Sequence, residues 1–274
     1  MSAGRGAGGA GSGGVDFDPE GVAACAQIVA RGDPDRFRAT MAAPVPARAL
    51  LFPLYAFNLE VARAPFVSAE PMIGEMRLQW WRDVVAEIGA GAPPRAHEVA
   101  GPLASVAAQG RLQLETLDRL VAAHRVHLDA SGFEDAGHVE EFLDATGAGL
   151  TWAAARLLGA QPGLEPRVRA AGWAAGLAAY LRAIPDLEAR GKHPLPDGRP
   201  EAVRGWAHEG LARLRAARGT VPQAVRPALL AGWRTEATLR RAVADPGRVA
   251  RGELAESEFA RRAGLLRRVL LGGW

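Results

Sequence analysis

Residues 54–83, LYAFNLEVARAPFVSAEPMIGEMRLQWWRD, constrain the fold more than any other stretch of this sequence. An apolar stripe near helical spacing runs through the first part: Leu54, Tyr55, Phe57 and Val61. The helix should stop at Ala64, because the residue before a proline, here Pro65, is pushed out of the helical region. A second helix should follow and run to about Ile88, with the Ser68 hydroxyl as its candidate N-cap.

The rest of the chain is punctuated in the same way. Asp18-Pro19 and Asp33-Pro34 each combine an N-cap aspartate with a proline at the first helical position. Further helices are predicted over residues 98–109, 112–130, 138–159, 164–183, 200–217, 221–231, 234–244 and 253–271. Strand-like alternation and internal repeats do not occur at useful length. The predicted fold class is therefore all-α, a single domain of about ten helices over residues 15–274.

Composition narrows the functional classes. A net charge of +3 over 274 residues argues against a strongly basic nucleic-acid binder, so no nucleic-acid partner is expected. Cys25 is the one cysteine; it suits a reducing compartment, the cytoplasm, and a buried position. No apolar run reaches about 18 residues, so no transmembrane helix is predicted. Residues 1–14 are rich in Gly, Ala and Ser, lack signal-peptide features and are predicted to be disordered.

Ordered motifs in the 54–83 stretch carry a family resemblance. Tyr-Ala-Phe at residues 55–57 is followed, in order, by Asn58, Glu60, Ser68, Glu70, Gly74, Arg77, Gln79, Trp80 and Trp81. This succession resembles the squalene/phytoene synthase superfamily, and within it a non-canonical branch that includes the mitochondrial assembly factor of respiratory complex I and its bacterial relatives. Residues 146–149, Thr-Gly-Ala-Gly, resemble the small-residue turn of the family's central helix, where a ligand or a backbone approaches closely. The resemblance covers most of residues 20–200 and implies an isoprenoid-synthase-like helical bundle.

The Asp-rich motifs of active family members are missing. The positions where those members carry the aspartates, called slots below, are occupied here by Ala62, Arg63, Phe66, Ala183 and Leu187. Asp186 and Glu188 flank the last slot but are one residue out of register, a rotation of about 100° on a helix. In the family these carboxylates hold the Mg²⁺ that neutralises the departing diphosphate. The resemblance therefore implies no catalytic residue, no metal site and no cofactor, with Arg63 expected to repel a metal.

A set of polar residues remains for binding an anion. It consists of Arg48, Tyr55, Arg182, Arg190 and Lys192. Guanidinium groups recognise phosphate without a metal, so an anionic ligand or a prenyl diphosphate is a candidate partner. It would lie in an apolar pocket between the Tyr55 helix and the Arg182 helix. The structural alternative, that these side chains pair with Glu60, Glu75 or Asp186, stays open.

Two other constellations are predicted to be structural. His124 and His127 lie three apart, a spacing that can bind a metal, but no third ligand approaches in sequence, so a solvated helix face is predicted. Glu140, Glu141 and Asp144 lack the Glu-x-x-His partner of di-iron bundles and are predicted to form a charged outer face.

The C-terminal segment, residues 259–274, is basic and amphipathic. Its arginines are Arg261, Arg262, Arg267 and Arg268. Such a helix could contact an anionic membrane peripherally, at the inner membrane face. The alternative is a last helix that packs its leucines on the bundle and shows its arginines to water, which is the norm in globular proteins and is the favoured interpretation.

Two functional classes follow from the resemblance. The first is a non-catalytic protein that acts in the assembly of respiratory complex I, with complex I subunits as partners. The second is a prenyl transferase with an altered site that makes an isoprenoid and needs Mg²⁺.

Overall fold

A computed structural model gives the fold for residues 17–271 and 273–274. All regular elements in these residues are helical, which confirms the all-α class, whereas the predicted disordered segment 1–14 lies outside them. The α-helices are α1 (Pro19–Gly32), α2 (Pro34–Met41), α3 (Val45–Arg63), α4 (Pro71–Gly89), α5 (Ala100–Ala107), α6 (Leu114–Ala123), α7 (Ala136–Leu143), α8 (Gly149–Leu157), α9 (Glu165–Ala189), α10 (Pro200–Ala216), α11 (Arg226–Leu230), α12 (Thr235–Ala244), α13 (Gly247–Ala250) and α14 (Glu258–Leu270).

Two aspartate–proline pairs begin the first helices, as predicted. The Asp18 carboxylate accepts hydrogen bonds of 3.0 Å from the backbone N–H groups of Glu20 and Gly21. The Asp33 carboxylate accepts one of 2.9 Å from the N–H of Arg36. Each aspartate satisfies backbone donors that have no partner within the helix.

The break between α3 and α4 lies where the proline predicts it. A 3₁₀ turn, Ala64–Phe66, follows α3 directly. The predicted N-cap role of Ser68 is wrong: its Oγ accepts from the N–H of Glu70 at 3.1 Å, and α4 begins later, at Pro71. The proline sets the start of the helix because its fixed φ and missing N–H suit the first helical position.

Several predicted helices differ from the observed ones, and the one predicted over residues 221–231 is reduced to Arg226–Leu230. The helix predicted over residues 112–130 changes into a 3₁₀ turn at His124–His127, and the one predicted over 138–159 contains a π turn at Asp144–Ala148. By contrast, α9 continues past its predicted end at residue 183, through Pro185. Burial of Ile184 and Leu187 on this last part offsets the missing proline N–H.

The longest helix, α9, lies at the centre and packs against α8, α10, α12, α13 and the π turn. The π turn approaches α9 so closely that a Cβ on Gly147 would lie 2.7 Å from the Gly172 carbonyl oxygen and 2.9 Å from the Gly176 Cα. The close backbone approach predicted for residues 146–149 is thereby confirmed.

Cys25 is fully buried, and burial followed by the charge of Glu98 raises the pKa of its thiol to about 12.

Candidate functional site

An apolar cavity of about 250 Å³ lies between α3, the π turn and α9. The predicted pocket between the Tyr55 helix and the Arg182 helix is therefore present. Glycine and alanine residues of α9, Gly172, Ala175, Gly176 and Ala179, form one wall of the cavity, and their small side chains leave the space open.

Four of the five slots of the Asp-rich motifs line this cavity. Ala62 and Phe66 come from the end of α3 and the following turn, and Ala183 and Leu187 come from α9. Arg63 does not line the cavity, since its guanidinium is half exposed and lies 3.7 Å from the Glu60 carboxylate. Residues four apart on a helix share a face. The two positions from the first motif therefore face the two from the second motif across the same cavity.

Two buried histidines form another wall, which makes the predicted solvated face wrong. His124 and His127 are both buried, and the ring of Phe142 lies 5.5 and 5.2 Å from theirs. The 3₁₀ turn places side chains three apart on the same side, which here is the inner side. Burial first, then the charge of His127, lowers the pKa of His124 to about 3. Burial and then the charge of Lys192 lower that of His127 to about 4, so both rings are neutral near pH 7.

A second, polar cavity of about 50 Å³ adjoins the first. The two share five lining residues: Arg36, Leu150, Thr151, Ala175 and Ala179. Tyr55 and Arg182, both candidates from the sequence, lie in the polar cavity together with Asp35 and Arg234. The apolar cavity therefore adjoins a smaller cavity lined by charged side chains.

Asp35 is the centre of the charged cavity. Its carboxylate accepts hydrogen bonds from Arg234 and, at 2.5 Å, from Arg261 of α14, and it lies 3.7 Å from Arg182. Burial alone would raise the pKa of Asp35, but these hydrogen bonds and positive charges hold it below its usual value. Burial, followed by the charge of Arg234, lowers the pKa of Arg182. The pairing alternative thus applies to Arg182, with Asp35 as partner instead of Glu60, Glu75 or Asp186.

Several buried donors around Asp35 have no hydrogen-bond partner among the described residues. They include the Tyr55 hydroxyl, the Thr238 hydroxyl, Arg36 Nε and Arg234 Nη2. The Arg36 guanidinium lies 5.0 Å from the centre of the Tyr55 ring, and burial raises the pKa of that phenol to about 12. The hydrogen-bonding capacity of this cavity therefore exceeds what Asp35 uses.

The other three predicted binding residues lie apart from the polar cavity. Arg48 donates to the Ala43 carbonyl at 2.8 Å. The Arg190 guanidinium lies 5.3 Å from the centre of the Phe66 ring, and Lys192 donates to the Leu128 carbonyl at 3.0 Å. Sequence reasoning also missed four charged residues of this site: Asp35, Arg36, Arg234 and Arg261. The Asp33-Pro34-Asp35-Arg36 run was a local signal for two of them, whereas the two distant arginines had none.

Among residues 17–271, 273 and 274, no group of three or more His, Cys, Asp or Glu side chains is placed to hold a metal ion. Glu140 and Asp144 are partly exposed and ion-paired, to Arg213 at 3.1 Å and to Arg169 at 2.6 Å, and Glu141 is exposed. This agrees with the predicted charged outer face.

Helix α14 presents its apolar side chains outward, which reverses the orientation favoured from the sequence. Phe259 is 84% exposed and Leu270 is 73% exposed. Arg261 instead points toward the bundle and Asp35, while Leu265 packs against the small cluster that contains Trp233. In the described part of the chain, no helix has the length and apolarity to span a membrane.

A protein-family comparison matches residues 29–202 to the squalene/phytoene synthase model, which is more than half of the chain. The chain belongs to the squalene/phytoene synthase family. Two solved structures of the family share the fold. One is a dehydrosqualene synthase in complex with ligand, with a TM-score of 0.63, 14% identity, and coverage of 92% of this chain and 96% of that one. The other is a squalene synthase from Alicyclobacillus acidocaldarius, with a TM-score of 0.59, 15% identity, and coverage of 92% and 94%.

Sequence relatives in the squalene/phytoene synthase family carry a different description. The chain is 27% identical over 173 residues to the human protein named NADH dehydrogenase (ubiquinone) complex I, assembly factor 6, a match that covers 63% of this chain and 52% of the human one. The Drosophila melanogaster homolog of that factor is 27% identical over 212 residues, covering 74% and 62%. The match thus spans only about half the length of the human relative.

Proposed function

We propose that this chain is a non-catalytic member of the squalene/phytoene synthase family that acts in the assembly of respiratory complex I. One observation carries the proposal: the metal-carboxylate slots that meet in the apolar cavity hold Ala62, Phe66, Ala183 and Leu187. None of these side chains offers an oxygen ligand.

The chemistry explains why these slots matter. Prenyl condensation begins with loss of diphosphate from an allylic carbon, and Mg²⁺ stabilises the departing charge through oxygen ligands in near-octahedral geometry. Asp35 lines the adjoining cavity but is held by Arg234 and Arg261, so its charge is already matched by guanidinium groups. The residues around the two cavities therefore suit binding without metal-assisted ionisation.

The assembly role rests on the relatives. The chain is 27% identical to human assembly factor 6 over 173 residues. The family match, residues 29–202, contains every residue that lines the apolar cavity. Complex I subunits are the partners that this similarity favours.

A deletion strain separates the two functional classes. Loss of complex I activity with an unchanged isoprenoid profile is the expected result, reversed by the wild-type gene. The opposite pattern, intact complex I with a missing isoprenoid, would favour the prenyl-transferase alternative. In vitro, farnesyl or geranylgeranyl diphosphate with Mg²⁺ should give no pyrophosphate above a blank, with a dehydrosqualene synthase as the positive control. Chelator-sensitive release would overturn the non-catalytic assignment.

The two cavities together suit an amphiphile, a prenyl or lipid phosphate. The chain would lie in the apolar cavity, and the phosphate would compete with Asp35 for the guanidinium groups of Arg36, Arg182 and Arg234. Arg182→Gln should weaken binding of farnesyl monophosphate about tenfold, since a charged hydrogen-bond partner is lost. Arg48→Gln is the matched control because Arg48 lines neither cavity. Equal affinities of the two variants would reject this site for the head group.

Peripheral membrane contact through α14 is the remaining part of the proposal. Its outer face combines exposed Phe259, Leu266 and Leu270 with Arg262 and Arg267. Each outward arginine near an anionic surface contributes about 1 kcal/mol, and the apolar side chains would enter the interface.

Vesicle co-sedimentation tests this contact. Replacing Arg262 by Gln should weaken binding to anionic vesicles roughly fivefold, the equivalent of about 1 kcal/mol. The same exchange at Arg77, exposed elsewhere, removes equal charge and should weaken binding much less. If the two variants sediment alike, net charge and not α14 governs the contact.

A further inference from the structure

A third cavity, of about 480 Å³, lies beneath α14; it shares no lining residue with the apolar cavity and shares Gly232 and Thr235 with the polar one. Its walls come from α9, the end of α10, the beginning of α12, and α14 with the residues that follow it. The volume falls within the range of small-molecule sites in proteins, roughly 300–1,000 Å³.

Positive charge exceeds negative charge along this wall. Arg218, Arg267 and Arg268 line the cavity with one carboxylate, Glu236. That carboxylate lies 2.6 Å from Arg218 and 3.8 Å from Arg268, and it also pairs at 2.7 Å with Arg240 outside the cavity. Arg267 has no ion-pair partner among the described residues. The lining therefore carries a formal excess of two positive charges.

The pKa of the Arg268 guanidinium is lowered, first by burial. The positive charges of Arg218 and Arg267 lower it further, whereas the negative charge of Glu236 raises it. Arg268 also donates a hydrogen bond to the main-chain oxygen of Trp274, which holds that residue against the cavity. Arg218 and Arg268 share Glu236, whereas Arg267 is exposed and has no ion-pair partner among the described residues, so an anion in this space would supply the partner that Arg267 lacks.

The remaining wall is apolar. Leu214, Leu229, Leu271 and Trp274 line it, and the Trp274 side chain packs partly against the main hydrophobic core. Arginine on one side and hydrocarbon on the other is the lining expected for an amphiphile with an anionic head.

We infer that this cavity binds a phosphate monoester, with its phosphate on Arg218, Arg267 and Arg268 and its hydrocarbon against Leu214, Leu271 and Trp274. A phosphate monoester carries about two negative charges near pH 7, which matches the excess among the lining side chains, and its oxygens accept from several guanidinium groups at once.

Isothermal titration of the full chain at constant ionic strength tests the site with two probes, inorganic phosphate and dihexanoyl phosphatidic acid below its micellar concentration. Dihexanoyl phosphatidylcholine, with no net charge, is the ligand control. Binding of the phosphatidic acid, tighter than that of inorganic phosphate, is expected. Equal affinity for inorganic phosphate and the phosphatidic acid would assign the site to free phosphate and overturn the proposed hydrocarbon contacts. Equal affinity for the phosphatidic acid and the phosphatidylcholine would overturn the proposed recognition of the phosphate monoester.

Two single variants locate the site. Arg267→Gln should weaken both phosphate ligands about tenfold, since it removes a charged donor. Arg215→Gln, on α10, exposed and outside the cavity, should leave binding unchanged. Arg267 makes no ion pair in the described structure, so its loss should not impair folding, and circular dichroism checks this. Indistinguishable affinities of the two variants, or no binding by the wild type at millimolar ligand, would overturn the inference, independently of any role in complex I assembly or prenyl binding.

Discussion

Replacing Asp35 by Asn should destabilise this protein more than any other single loss of a carboxylate. The side chain of Asp35 is 13% exposed and that of Arg234 is 10% exposed, so the pair is largely shielded from water. Arg261 and Arg182 face the same carboxylate. Asparagine keeps the shape but removes the charge that these three guanidinium groups share.

The magnitude follows from burial. Removing one partner of a buried ion pair costs about 3–5 kcal/mol where the remaining charge is left without compensation. Arg234 and Arg261 keep ion pairs with Glu256 at 3.4 Å and Glu258 at 3.0 Å, so we expect the lower end, about 3 kcal/mol. For a chain of this size, 1 kcal/mol shifts Tm by roughly 2–4 °C, so the expected loss is roughly 6–12 °C. Asp33, the N-cap of α2, is untouched, and the helix should still begin at Pro34.

The assay is thermal unfolding followed by circular dichroism, with Asp118→Asn as the matched control. Asp118 accepts two hydrogen bonds from Arg82, of 2.6 and 3.0 Å, but its side chain is 38% exposed, and a pair at such a site contributes about 1 kcal/mol or less. If the two variants have the same Tm, the Asp35 cluster contributes no more than a surface pair and the reasoning from burial is refuted.

The pH dependence gives an independent check. The pKa of Asp35 is lowered in the folded protein, so its stabilising contribution is present above the unfolded-state pKa, about 3.9, and is lost as pH falls through the folded-state value. Wild type and Asp35→Asn should therefore differ at pH 7 and converge as pH falls below about 3.9 and through the lower folded-state value. A constant difference over this range would mean that the Asn side chain acts through packing and not through charge.

Two further predictions concern the central helix contacts and the buried imidazoles. Gly147→Ala should lower stability by about 1–3 kcal/mol in chemical denaturation, because its Cβ meets backbone at 2.7 Å, whereas Gly101→Ala, with no neighbour within 4 Å, should stabilise by about 0.5–1 kcal/mol. The folded-state pKa values are about 3 for His124 and about 4 for His127, so both neutral imidazoles add stability above pH 6.5 that is lost on acidification. Replacing His127 by Phe removes one of these contributions. The free energy of unfolding of the variant should therefore fall less steeply between pH 6.5 and 4 than that of the wild type. A slope identical to that of the wild type would contradict the buried, neutral state of His127.

Local signals in the sequence predicted local structure well. The Asp18 and Asp33 caps and the break at Pro65 act within a few residues, and the structure has them. The four motif slots that meet in the apolar cavity were also accessible from the sequence, because each pair lies four apart on one helical face. Gly191, two residues after α9 ends, adopts a φ of 73°, which a Cβ would strain.

Contacts between distant parts of the chain had no such signal. Asp35 and Arg234 are 199 residues apart in sequence, and no periodicity links them. His127 was misassigned because a polar side chain on a short helical segment suggests solvent, whereas an edge-on contact with Phe142 and stacking on Tyr180 make its burial favourable. The outward orientation of α14 depends likewise on the distant Asp35, which draws Arg261 inward.

The π turn at Asp144–Ala148 determines where the chain between α7 and α8 can change in length. One additional residue advances a helix by about 100°, so a single helical wheel drawn through α7 and α8 is out of phase on one side of the turn. The turn absorbs that phase difference and lets Phe142 face His127 while Thr151 bonds back to the Gly147 carbonyl. Deleting one of its residues would restore a regular helix and leave both flanks in phase, whereas the same deletion within α7 or α8 would rotate one flank by about 100°, so a one-residue deletion should be tolerated better in the turn than on either side of it.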